Sequence, residues 1–332
     1  MDMAAVVDDL LEITVIGSFS RIGYGVRRRL FGWTMPRAGS MVRRTVLLTG
    51  VTSGLGREAA GTLATLGARV ILAGRDEAKL RAVRDELVRI HGEDRFPILV
   101  VDMASIASVR GAVERILASE SRLDVVIDNA GAIFPNRQVT ADGIEATLAT
   151  MVVGPFALVA GLLPLLEATR GARVISVTSG GQYATRLHLD DLQWTSEPWN
   201  GTRAYARAKR AQVSIVREWA RRIARTDISF VAMHPGWADT PGIAAALPGF
   251  HRVMGPLLRT PAQGVDTMVW LAAEPRATDL SGRLLLDRRP RPFDRIPSTR
   301  VSPAERLRLW DAVVRLAGVA DPRPAPTSIG ET

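Results

Sequence analysis

The sequence predicts a three-layer α/β/α domain built on a doubly wound parallel sheet of about seven strands. Three observations point there. Short apolar, β-branched runs alternate with longer amphipathic stretches from residue 44 onward. A glycine-rich turn follows the first of these runs directly. Late in the alternation, Tyr205 and Lys209 stand four residues apart, a spacing that puts a phenol and an ammonium on one helical face.

The strand candidates are residues 45–49, 68–73, 97–101, 123–127, 172–178, 228–233 and 283–286. The segments between them are long enough for crossover helices, so successive strands can run parallel. Residues 146–166 contain no charge and are long enough to span a membrane. Gly154, Pro155, Gly161 and Pro164 interrupt this run, and it lies where the alternation requires a crossover helix. It is expected to be a buried helix, with a subunit interface as one way of covering it and a homo-oligomer as the consequence.

Residues 1–43 form an N-terminal arm of different composition. From Arg21 to Arg44 there are arginines but no acid, mixed with Ile22, Tyr24, Leu30, Phe31 and Trp33. Such a segment can lie on an anionic membrane surface, or it can pack on the domain or a partner subunit. The expected catalytic domain spans 44–287, and 288–332 is a C-terminal extension. Within it, 287–300 reads as extended and solvated. Ser302-Pro303-Ala304-Glu305 reads as a capping box opening a helix through Ala317, and the end from Pro322 reads as frayed.

Composition narrows the chemistry. The 332 residues are 47% hydrophobic and 23% charged, enough for one large core. With no cysteine there is no thiolate nucleophile, disulfide or zinc ribbon, and four scattered histidines do not suggest a metal site. The absence of cysteine and of a signal-peptide pattern suits a cytoplasmic protein, peripheral at the inner face of a membrane if the arm binds lipid. A net charge of +9 invites a nucleic-acid reading. The basic residues are spread along the chain without a recognition motif, so no nucleic-acid partner is expected.

The turn after the first strand reads Thr49-Gly50-Val51-Thr52-Ser53-Gly54-Leu55-Gly56 and opens an alanine-rich helix. Glycines let the backbone approach a pyrophosphate, which rests on amides at the helix N-terminus, and the strand-turn-helix context marks a Rossmann-like dinucleotide site. At the end of the second strand stands Gly74-Arg75-Asp76. Arg75, seconded by Arg57, suits a 2′-phosphate, so NADP(H) is favoured over NAD(H), while Asp76 serves equally well as a helix cap.

These residues resemble the short-chain dehydrogenase/reductase family from about Arg44 to Asp287. The motifs appear in family order: the glycine loop, Asp102, Asp128-Asn129-Ala130-Gly131, Ser179, Tyr205 with Lys209, and Pro235-Gly236. The resemblance implies a hydride-transferring oxidoreductase in which Tyr205 is the general acid/base. Lys209 would lower the phenol pKa and hold the nicotinamide ribose, and Ser179 would bind the substrate oxygen. By the same resemblance Asp102 and Met103 flank the adenine. Asn129, Ala130 and Gly131 support the cofactor side, and Pro235, Gly236, Trp237 and Thr240 line the nicotinamide pocket. Taken alone, Asp102 and Thr240 are equally well explained by capping and turn formation.

One departure stands out. Aligning Gly154 with the family's glycine puts Met151 where the resemblance leads one to expect an asparagine in a proton relay, and a thioether cannot replace an amide. Asp128 in place of asparagine is a milder change. The substrate loops, 180–200 and 236–259, carry Tyr183, Leu187, Trp194, Trp199, Trp237, Ile243 and Phe250, which favour a small lipophilic carbonyl or alcohol unless these side chains are core. The competing reading is a dinucleotide-binding regulatory or scaffold protein with weak or lost catalysis.

Overall fold

A computed structural model describes residues 3–92, 95–223 and 227–322. Seven parallel strands follow the expected runs: β1 Thr45–Thr49, β2 Arg69–Gly74, β3 Ile98–Val100, β4 Val125–Asp128, β5 Arg173–Val177, β6 Ser229–Met233 and β7 Leu284–Leu286. Their spatial order is β3-β2-β1-β4-β5-β6-β7. The chain winds outward from β1 to β3, then crosses back to place β4 on the other side of β1, with Leu48 paired to both Leu72 and Ile127. The two winding directions part there, opening a crevice at the carboxyl ends of β1 and β4.

The central strands are buried on both faces, which is why they read as continuous Val/Ile/Leu runs rather than alternating ones. Leu47, Val126, Val174 and Phe230 point into one layer, and Val46, Leu48, Val125, Ile175 and Val231 into the other. Local signals place the helices. Ser53 precedes the helix Gly54–Thr65, and Asp76 accepts from the Lys79 amide to start Glu77–His91, which ends on left-handed Gly92. Asn200 likewise caps the long helix Gly201–Arg222.

The helix Ala146–Ala168, which holds the uncharged run 146–166, is 72% buried within this single chain in its most apolar window. Phe156 packs edge-on against Trp310 at 4.9 Å and near Trp219 at 5.2 Å, so the chain itself covers the helix. The subunit contact expected from its apolarity is therefore not needed. Trp310 belongs to the C-terminal helix Pro303–Ala317, whose capping box between Ser302 and Glu305 is formed as expected. The expectation of a frayed end falls, from 323 on, outside the described residues.

One expectation is overturned. Residues 289–291 are not solvated coil but an eighth strand, β8 Arg289–Arg291, antiparallel to β7. Arginine and proline hide a strand from propensity arguments, and the edge position tolerates proline. The arm packs on the domain, one of the alternatives its sequence left open. It forms helices Met3–Ile13, Val15–Phe19 and Arg21–Leu30 and docks beside β8 through buried ion pairs. Asp8, 2% exposed, binds Arg27 at 2.7 Å, Arg291 at 2.9 Å and Arg289 at 2.9 Å. Glu12 binds Arg27 at 2.6 Å and pairs with Arg295. Arg289, Arg291 and Arg295, which looked solvated, find their carboxylates some 280 residues upstream, a pairing with no local trace in sequence.

Candidate active site

The crevice holds about 450 Å³ and is lined from the ends of β1, β2, β4 and β5. Thr52, Ser53, Gly54, Leu55 and Gly56 form its floor at the start of a helix, and the capping residue Ser53 makes no side-chain bond to the helix amides. Those first amides are thus left without an internal partner, which is what an anion at a helix N-terminus needs. Gly50 shows how close the walls stand. Its φ is +72°, and a Cβ there would fall 2.9 Å from Ala130 Cα. Asn129 clamps the two strand ends, its Nδ2 donating to the carbonyls of Thr49 at 2.9 Å and Gly50 at 3.3 Å.

Arg75 is exposed on the crevice wall. Arg57 is not brought to it: its guanidinium pairs with Glu86 on the neighbouring helix and lies outside the crevice lining. Asp102 and Met103 line the far end, and the Asp102 carboxylate also accepts from the Ala104 amide at 2.9 Å. Thr240 lines the crevice too while capping the helix Pro241–Ala246. Both residues therefore do the local work that the bland reading gave them, at positions facing the crevice.

At the other end, Ser179 ends the segment after β5, and Tyr205 and Lys209 project from Gly201–Arg222. Tyr205 and Ser179 both line the crevice. Lys209 Nζ lies 5.5 Å from the tyrosine ring centroid and donates to the Val177 carbonyl at 2.7 Å and to Gln212 Oε1 at 3.2 Å. Burial pushes the Tyr205 phenol up to about 12, with the Ser179 hydroxyl pulling the other way, and burial draws Lys209 down to about 8 against the attraction of Asp128. Desolvation is the largest influence on the phenol in this arrangement. Met151 is fully buried within a π-helical turn, Ala149–Val153, and Thr150 lines the crevice.

The arm enters this site, which sequence reasoning missed. Phe19 is 4% exposed, with its ring 4.7 Å from His234 and 5.9 Å from Trp237 between centroids, and its carbonyl accepts from the Trp237 amide at 2.8 Å. A Cβ at Gly180, next to Ser179, would fall 2.4 Å from the Phe19 ring. Arg259 fastens the same corner, donating to the carbonyls of Phe19, Ser20 and Pro235 and to Asp287. Of the substrate-loop side chains, Trp237, Ile243 and Phe250 line the crevice, whereas Tyr183, Leu187 and Trp194 are core. The only sequence hint of the arm's role was an aromatic residue in a segment with too few acids for its arginines.

The family model for short chain dehydrogenase matches residues 44–247, from β1 through the helix that Thr240 caps. The chain belongs to the short-chain dehydrogenase/reductase family. It is therefore an oxidoreductase of the hydride-transferring kind, on a fold that binds nicotinamide dinucleotides. It is similar to dehydrogenase/reductase SDR family member 12 of Homo sapiens, with 39% identity over 277 residues, 82% of this chain and 86% of that one. Retinol dehydrogenase 13 of Homo sapiens is 28% identical over 332 residues, covering 94% of this chain and 96% of its own. Among solved structures, an uncharacterized protein from Mycobacterium paratuberculosis superposes with a TM-score of 0.68 at 27% identity, covering 86% of this chain and 98% of its own. A short chain dehydrogenase from Shigella flexneri, solved with NADP, shares the fold with a TM-score of 0.62 at 24% identity, over 76% of this chain and 100% of its own.

Proposed function

We propose that this chain is an NADP(H)-dependent oxidoreductase that interconverts a carbonyl and a hydroxyl on a small lipophilic substrate, with residues 44–287 as the catalytic unit. The observation that carries the reading is that Ser179, Tyr205 and the buried Lys209 all line one crevice together with the glycine loop 50–56. A bound nicotinamide supplies or accepts the hydride. In reduction, Ser179 holds the substrate oxygen, Tyr205 gives it the phenolic proton, and the Lys209 ammonium favours the phenolate left behind. Asn129, Ala130 and Gly131 hold the strand end against which the cofactor lies, and Pro235, Gly236 and Trp237 close the nicotinamide side. The NADP preference rests on Arg75, which suits a 2′-phosphate and makes no ion pair among the described residues. The lipophilic substrate rests on Trp237, Ile243 and Phe250 and on relatives named as retinol dehydrogenases.

The test is NADPH consumption against a panel of apolar ketones and aldehydes. Tyr205→Phe is expected to abolish turnover while leaving NADPH binding intact. Unchanged turnover in that variant would remove the acid role, and turnover absent from the intact chain across the whole panel would favour the binding-protein reading.

We also propose that the arm touches a membrane peripherally. Ile13, Val15, Ile16 and Ile22 are at least half exposed at 77%, 50%, 51% and 52%, beside exposed Arg21. Co-sedimentation with anionic liposomes should fall in an Ile13→Ser/Ile16→Ser variant, and equal pelleting would remove the idea. Surface substitutions are the right probe because truncation at Met41 would also remove Phe19 from the site.

A further inference from the structure

Lys209 is wired into the interior on the side away from the crevice. Gln212, one turn further along the helix and 4% exposed, accepts from Lys209 with its amide oxygen and donates with Nε2 to Asp128 Oδ2 at 2.5 Å. Asp128 ends β4, is 3% exposed, and its other carboxylate oxygen has no partner among the described residues. Asp128, Gln212 and Met151 line one cavity of about 20 Å³ behind the crevice, room for a single water.

A buried ammonium is costly unless an opposite charge lies near. Two of its partners, the Val177 carbonyl and the Gln212 amide, are neutral dipoles. The neighbour on the Gly131 side is a thioether: a Cβ on Gly131 would sit 3.1 Å from Met151 Sδ and 3.7 Å from Lys209 Nζ. Sulfur offers such an ammonium at best a weak acceptor. Asp128 is the anion acting on Lys209, and Lys209 and Gln212 are the groups that oppose the desolvation of Asp128. The remaining titratable group against Nζ is Tyr205, which stays protonated far above neutrality.

We propose that Asp128, acting through Gln212, is a positioning residue that keeps the Lys209 ammonium charged and fixed at the crevice wall, in place of a polar side chain at position 151. Burial sets the ends of the working range, with Asp128 pushed up to about 6 and Lys209 drawn down to about 8, so the two are oppositely charged between those values. The two departures noted in the sequence, Asp128 and Met151, are then one change: a dipole lost on one side of the lysine and a charge gained on another.

The inference rests on Lys209 serving the proposed reaction, but its test reads the lysine directly. The chain has two lysines, and the other, Lys79, is exposed, so lysine labelled at Cε gives two resonances in the full-length protein. Lys209 should titrate near pH 8 in the intact chain. Asp128→Asn should move the midpoint down by about one pH unit. Gln212→Leu should move it less in the same direction, Met151→Asn added to Asp128→Asn should move it partway back, and Lys79 should not move. Superimposable Lys209 titrations in the intact chain, Asp128→Asn and Gln212→Leu would overturn the proposal. Failure of the Tyr205→Phe test would instead remove the reaction and leave the lysine titration standing.

Discussion

Replacing Asp287 by asparagine tests whether the arm and the site form one unit. Asp287 is 1% exposed and accepts from Arg27 at 2.8 Å and from both terminal nitrogens of Arg259 at 2.6 and 2.9 Å. Asparagine keeps the shape and one acceptor oxygen but removes the charge. Arg27 retains Asp8 and Glu12, whereas Arg259 is left with carbonyls alone. Breaking a buried pair from one side costs about 3–5 kcal/mol, and with only one of the two guanidiniums fully orphaned the lower end, about 3 kcal/mol, is expected. At about 2 °C per kcal/mol for a chain of this size, the melting temperature should fall by about 6 °C. Because Arg259 also holds the Phe19 and Pro235 carbonyls, NADPH should bind more weakly as well. Differential scanning fluorimetry with and without NADPH reads both effects. A drop below about 2 °C with unchanged affinity would refute the view that this carboxylate joins arm to site.

Other outcomes follow from the same geometry. Gly50→Ala forces a side chain into left-handed backbone and against Ala130, and should weaken NADPH binding at least about tenfold while the sheet still folds; fluorescence titration checks it. Arg75→Glu should reverse cofactor preference toward NADH in paired titrations. Reductase activity should fall as pH rises through about 8, because Lys209 is an ammonium only on the acid side of its pKa. His234 should titrate well below the ordinary histidine range in NMR, because burial first and then the nearby arginines disfavour its charged form. Phe19→Ala should cost about 3 kcal/mol or more and raise KM for apolar substrates.

The parallel sheet was legible because strands buried on both faces betray themselves as apolar runs, and the glycine loop because its backbone geometry admits few other residues. Asp76 and Thr240 as caps, and the Ser302 box, were legible for the same local reason. Arg57 misled because proximity to the glycine loop in sequence does not say which way a helix turns its side chain, and Glu86 lies 29 residues away. The eighth strand and the partners that dock the arm were hidden because the ion pairs join Asp8 or Glu12 to arginines beyond 288, a separation no window reads. Asp128 and Gln212 drew little notice because neither residue type announces that it reaches a lysine from behind.

The docking of the arm has a consequence for how the molecule is made. Asp8 and Arg27 leave the ribosome some 260 to 280 residues before Arg291 and Asp287, which receive them. The three helices of the arm must therefore wait, with their apolar faces open, until β7 and β8 have been made, and a chaperone acting on them meanwhile holds a segment that the finished protein needs next to Trp237.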